Sequence, residues 1–79
     1  SLNLFPNPAD DQFVLKLRVN VSGQLTIYNN IGMLVHSAEL QPGETLHQTD
    51  VAELPAGIYN CVVFADGLKL DGRIVIQHK

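Results

Sequence analysis

Three histidines and one cysteine are the side chains in this sequence that could bind a transition metal or attack a substrate. His36 and His47 could lie on adjacent strands, but a zinc site needs further ligands in fixed geometry, and no two histidines are separated by one or three residues. Cys61 would need a nearby cation or a helix N-terminus to become a reactive thiolate. We therefore predict that His36, His47 and His78 are surface residues, that Cys61 is a buried and inert thiol, and that there is no metal centre.

Oxygen ligands near the start of the chain suggest calcium as an alternative. Asn7, Asp10 and Asp11 lack the spacing of a calcium-binding motif, and the same residue types are common in turns, so turn chemistry is the favoured interpretation. Asp66 and Asp71 lie at opposite ends of a predicted hairpin and do not form an acid–base pair. Because a phosphate-binding glycine loop and a Ser-His-Asp order are also missing, the residues predict neither a catalytic site nor a cofactor.

The composition restricts the class of protein. The chain has 79 residues, of which 46% are apolar and 16% charged, so residues 1–79 are expected to form one small domain with a core. The net charge of -3 argues against binding nucleic acid or an anionic membrane. No apolar run reaches the roughly 18 residues of a membrane span. Residues 1–8 lack the basic start and apolar centre of a signal peptide, so any export signal is expected to lie elsewhere.

Turn residues and alternating hydrophobicity predict an all-β fold. The clearest strand covers residues 12–20, in which apolar side chains alternate with polar ones. Other strands are predicted at residues 2–5, 24–29, 33–39 and 44–51. A single helical turn is expected at residues 50–53, because Asp50 and Glu53 have the spacing of a capping box and Pro55 forbids a longer helix.

The last hairpin can be predicted in register. Asp66 and Gly67 both tolerate positive φ and favour a two-residue turn, so Ala65 should face Leu68. A slip of one residue would bury charged side chains, which fixes the register. Counting back along the two strands pairs Val63 with Leu70, Cys61 with Gly72, Tyr59 with Ile74, Phe64 with Lys69, Val62 with Asp71, Asn60 with Arg73, and Ile58 with Val75.

Together these segments predict an Ig-like antiparallel β-sandwich of about seven strands. Its core is expected to contain Phe13, Leu15, Leu17, Leu25, Ile27, Tyr59, Cys61, Val63, Leu70 and Ile74, with Leu54 closing one end. The residues alone favour a binding or structural module.

Four segments, in order, resemble a known family. They are Leu4-Phe5-Pro6-Asn7-Pro8-Ala9, the stretch from Gly23 to Asn29 continued by residues 31–35, Leu54-Pro55-Ala56-Gly57-Ile58-Tyr59, and the final stretch from Gly72 to Lys79. This combination resembles the type A C-terminal sorting domain of cargo proteins of the type IX secretion system, over essentially the whole chain.

The resemblance implies a non-catalytic address label on an exported protein. It implies an attached upstream cargo, passage through the periplasm and the outer-membrane translocon of a Gram-negative bacterium to the cell surface or beyond, and removal by a sortase-like transpeptidase. Pro6, Asn7 and Pro8 match the opening motif of the family. The residues expected to be recognised by the secretion machinery are Gly57, Tyr59, Arg73, Ile74, Val75, Ile76 and Lys79.

One departure from the family pattern affects this assignment. Asp71-Gly72-Arg73 stands where the family often has a Lys-rich start to the final strand, so the basic contact would depend on Arg73 and Lys79. The final strand is expected to be read through an accessible edge, and edge strands could also pair two copies of the chain.

Two other functions remain open at this stage. An Ig-like or fibronectin-like adhesion or carbohydrate-binding module should carry an exposed aromatic platform, for which Tyr28 and Phe64 are the candidates. A compact hydrolase should carry a nucleophile beside a base, and the sequence offers none.

Overall fold

The computed structural model describes residues 2–79, which form seven strands and no helix; Ser1, although part of the predicted domain, lies outside the described residues. Residues 2–79 thus contain no helix that could cross a membrane. The strands are β1 Asn3–Phe5, β2 Gln12–Lys16, β3 Gly23–Tyr28, β4 Leu34–Leu40, β5 Leu46–Asp50, β6 Gly57–Ala65 and β7 Leu68–Ile76.

The strands form two antiparallel sheets. One has the order β1-β2-β5 and the other β4-β3-β6-β7. The fourth strand joins the larger sheet, whereas in constant-type immunoglobulin domains it joins the sheet of the first strand. The predicted all-β sandwich is confirmed.

The core lies between the inner faces of the two sheets, as the period of two requires. Phe13 and Leu15 of β2 are fully buried, as are Leu25 and Ile27 of β3. Eight of the ten predicted core residues are buried, and the other two, Leu17 and Leu70, are partly buried against the core.

The second strand is shorter than predicted, for lack of a partner. Its neighbour β5 begins at Leu46, opposite Lys16, so no ladder continues beyond that pair. Leu17 N–H instead donates to the Thr45 carbonyl (2.8 Å), and Gly43 N–H donates to the Val19 carbonyl (3.0 Å). Val19 still reaches the core, so the apolar alternation continues beyond the regular strand.

The β6–β7 hairpin has the predicted register at every predicted pair, from Ala65 opposite Leu68 to Ile58 opposite Val75. Both turn residues have positive φ, 53° at Asp66 and 76° at Gly67. The Asp66 carboxylate also accepts hydrogen bonds from the backbone N–H groups of Asn20 and Val21, each at 3.1 Å. This side chain therefore attaches the β2–β3 connection to the hairpin.

The helical turn predicted at residues 50–53 is wrong. The Asp50 carboxylate accepts a hydrogen bond from Ala52 N–H (2.9 Å) in an Asx turn, and no helix follows it. Leu54 N–H donates to the Val51 carbonyl (3.1 Å) and closes one tight turn. Leu54 is partly buried against the core, close to its predicted role.

Replacing Leu15 by Ala should lower the free energy of unfolding by about 2–5 kcal/mol, because its side chain is fully buried and the cavity would be only partly refilled. Leu46→Ala on the adjacent strand is the matched control; that side chain is 57% exposed, so a change within about 0.5 kcal/mol is expected. Urea denaturation of both variants measures the difference. Equal losses would show that the inner face of this sheet is assigned incorrectly.

Candidate functional site

The residues predicted to be recognised lie on two paired strands. Gly57 and Tyr59 are on β6, directly opposite Ile76 and Ile74 of β7. Two motif segments that are separate in the sequence therefore form one hydrogen-bonded unit.

Burial divides this unit into two sets. Tyr59, Ile74 and Ile76 are buried in the core, and the Tyr59 hydroxyl donates to the Pro55 carbonyl (2.6 Å). These three side chains fix the strands and are hidden from a partner. The accessible members are Gly57, Arg73 and Lys79, together with the half-buried Val75, and Lys79 lies just beyond the end of β7.

Ile58 is an accessible apolar residue of the same unit that was not among the predicted recognition residues. Its side chain is 51% exposed, and it pairs with Val75 on the outer face of the sheet. The predicted hairpin register already placed these two residues side by side, so the register is the signal that could have identified Ile58.

The opening motif contacts β7 from the opposite side to β6. The Asn7 side-chain amide donates from Nδ2 to the Arg73 carbonyl (3.0 Å), and its Oδ1 accepts from Val75 N–H (3.0 Å). The amide thus takes the place of a neighbouring strand, between Pro6 and Pro8, which have no N–H to donate. Both polar atoms of the Asn7 side chain are therefore engaged with β7 rather than with its own segment.

Backbone contacts extend this cover along the edge of β7. Ala9 N–H donates to the Val75 carbonyl and Gln77 N–H donates to the Ala9 carbonyl, each at 2.8 Å, while Leu2 N–H donates to the Asp71 carbonyl (3.1 Å). The prediction that β7 presents an accessible edge is therefore wrong, because the opening segment of the chain, residues 2–9, lies along it.

Gly72 allows this close approach. A Cβ at this position would lie 3.0 Å from the Leu2 Cβ and 3.4 Å from a Leu4 methyl group. The glycine that interrupts the expected Lys-rich start of the strand thus has a packing function.

His78 joins three segments near the end of β7. Its Nε2 lies 2.6 Å from the Leu54 carbonyl oxygen, and its Nδ1 lies 3.2 Å from Oδ1 of Asp10. The hydrogen bond to the Leu54 backbone, followed by that to Asp10, raises the pKa of His78 above its usual 6.5. Polar atoms of Asp10, Asp11 and His78 lie within 4.8 Å of one another, but both ring nitrogens of His78 are already engaged, so the cluster carries no argument for a bound ion.

The other chemically active side chains do not form a site together. His36 on β4 and His47 on β5 lie in different sheets, so the expected adjacency is wrong. His47 is also buried rather than on the surface, with Nε2 2.9 Å from the Leu17 carbonyl oxygen. Cys61 is buried as predicted, and desolvation raises the pKa of its thiol to about 12, so the thiol stays protonated at neutral pH.

These features define a small β-sandwich module whose final strand is held from both sides by the segments that carry the sequence motifs. The family of secretion system C-terminal sorting domains matches residues 3–77, and the chain belongs to this family, the sorting domains of type IX secretion. No curated protein matches the chain significantly. The chain is thus a sorting signal for the type IX system, which directs export to the cell surface or outside.

Replacing Asn7 by Ala should speed hydrogen exchange at the Val75 amide about 2- to 10-fold, because that N–H loses its acceptor and one such bond contributes about 0.5–1.5 kcal/mol. Asn3→Ala, at an exposed position of β1, is the matched control and should leave this amide unchanged. The Ile74 amide, on the side of β7 that pairs with β6, is the internal reference. Unchanged exchange at Val75 in the Asn7 variant would contradict the assigned contact.

Proposed function

We propose that residues 1–79 act as one sorting domain attached to an upstream cargo, and that the accessible parts of β6 and β7 form the surface read by the secretion machinery. The observation that carries this proposal is the assembly of three motif segments around β7. The opening motif covers one edge of this strand and Gly57 to Tyr59 pairs with the other. The hairpin by itself requires the pairing of β6 with β7, but it does not require the additional cover by the opening motif.

The proposed recognition surface consists of Gly57, Ile58, Arg73, Val75 and Lys79. Ile58 and Val75 supply adjacent apolar contacts, while Arg73 and Lys79 supply positive charge in a chain whose net charge is -3. Charge of this kind orients a partner and speeds encounter more than it adds affinity. The buried Tyr59, Ile74 and Ile76 contribute by positioning these residues.

Because the edge of β7 is covered, the machinery would read side chains on the outer face and at the strand end rather than pair with the strand. Partners of this surface are the translocon and, at the cell surface, a sortase-like transpeptidase that removes the domain from its cargo. A homodimer would need another edge, and β4 is the outermost strand at the opposite side of the larger sheet.

The carbohydrate-binding alternative is not favoured by the positions of the two candidate aromatic residues. Tyr28 pairs with Asn60, whereas Phe64 pairs with Gln24, so the two rings are four residues apart along the strands, or about 13 Å. Phe64 is instead contacted by the Lys69 ammonium group, 5.9 Å from the ring centre. The two rings do not form a common platform.

A reporter protein carrying the chain at its C-terminus tests the charged part of the surface. Replacing both Arg73 and Lys79 by Ala should strongly reduce surface display of the reporter, while the melting temperature of the isolated chain stays within a few degrees, since both side chains are exposed. Surface display is measured by protease accessibility on intact cells that possess a type IX system.

The matched control replaces Lys16 and Arg18 by Ala, which removes the same two residue types from exposed positions outside the proposed surface. Display should then be unchanged. If both double variants reduced display equally, net charge rather than this surface would be the signal.

A second pair of variants tests the apolar part. Ile58 and Phe64 are both on the outer face of β6, with 51% and 50% exposure, but only Ile58 belongs to the proposed surface. Ile58→Ser should reduce reporter display and Phe64→Ser should not, although both remove similar exposed apolar area. Full display of the Ile58 variant would exclude this residue from recognition.

A further inference from the structure

His78 occupies a position where three parts of the chain meet. It follows β7, it contacts Asp10 in the β1–β2 connection, and it contacts the carbonyl group of Leu54 in the β5–β6 connection. The backbone N–H of its neighbour Gln77 donates a hydrogen bond to the Ala9 carbonyl. The side chain of His78 thus attaches the segment after β7 to both connections.

The chemistry of the two contacts depends on the charge of the ring. A carbonyl oxygen only accepts, so Nε2 must carry a hydrogen to bond to Leu54 at 2.6 Å. An ionised carboxylate also only accepts, so Nδ1 must carry a hydrogen to bond to Asp10. Neutral imidazole has one N–H, and its other nitrogen would then present a lone pair to an oxygen. Both bonds therefore form together only in the imidazolium.

We propose that His78 is a proton-dependent clasp, which fixes residues 78 and 79 against the sandwich through two bonds when the ring is charged and loosens them when the ring is neutral and keeps at most one bond. The clasp concerns the conformation of residues 78 and 79, whether or not the secretion machinery reads this segment.

The charged groups around the ring agree with this assignment. Asp10 and Asp11 face it from the β1–β2 connection, the β5–β6 connection contributes the uncharged Leu54 carbonyl, and Lys79 follows in the chain. The two carboxylates and the two hydrogen bonds favour the charged ring and together outweigh its desolvation. The pKa of His78 is raised relative to the unfolded chain, so the clasp contributes fully below about pH 6.5 and is lost as the pH rises through the raised value.

Release would be local. The Ala9–Gln77 backbone bond and the Asn7 contacts do not involve the ring, so β7 stays in place when the clasp opens. What changes is the freedom of Lys79, and access to the surface hollow that residues 77–79 form with Pro8, Ala9 and Asp10.

Nuclear magnetic resonance on the labelled chain between about pH 5 and 9 tests the proposal. The ring resonances of His78 report its titration, and the ¹H–¹⁵N heteronuclear NOE of Lys79 reports the order of the chain end. We expect a titration midpoint above 6.5 and a fall in the NOE over the same pH range. An NOE that does not change while His78 titrates, or a midpoint at or below 6.5, would overturn the proposal.

Variants separate the clasp from a general effect of pH. Asp10→Asn should lower the midpoint of His78 and shift the fall of the NOE by the same amount, whereas Asp71→Asn, an exposed carboxylate on β7, should change neither. His78→Gln should make the Lys79 NOE independent of pH, and His36→Gln should leave the pH dependence intact. A pH-dependent NOE that survives in His78→Gln would assign the effect to another group and refute the clasp.

Discussion

The backbone of β7 is hydrogen-bonded on both sides, and this two-sided attachment links the segments that carry the sequence motifs. The hairpin with β6 satisfies one side. The other side would be a bare edge, which invites pairing with any extended chain. The opening segment of the chain, residues 2–9, covers it with backbone bonds from Leu2 and Ala9 and with the two-point contact of the Asn7 amide. Residues 2–9 and strand β6 thereby meet on opposite edges of the same strand.

The pleat of these strands links stability and recognition. Alternate residues of β6 and β7 point inward, so Tyr59, Ile74 and Ile76 are buried while Ile58 and Arg73 are exposed. Their order along the strand is fixed, and a change of register would exchange the two sets. A recognition surface built in this way has little conformational freedom of its own, which lowers the entropic cost of binding.

The parts of the structure that follow from local chemistry could be predicted from the sequence. The β6–β7 register depends on a turn that needs two residues of positive φ and on a period of two, and both are visible in the residues. The contacts of Asn7 could not be predicted, because a polar side chain bonded to backbone more than sixty positions away leaves no periodic signal. The burial of His47 was missed for a similar reason, since its ring is satisfied by the carbonyl of Leu17 on a different segment. The prediction of a helical turn at Asp50 was wrong because helix caps and Asx turns use the same residue types.

The contacts of the opening segment also set an order of events during synthesis. Asn7 is joined to Arg73 and Val75 across 66 and 68 positions, so its partners are translated long after it. Until β7 has emerged, residues 2–9 lack the strand they cover, and the larger sheet lacks its final member. Non-local pairing of this kind is slow to form, and nascent chains generally fold from the N-terminal side. Any domain attached upstream of the sandwich would therefore have the opportunity to fold before the sandwich closes.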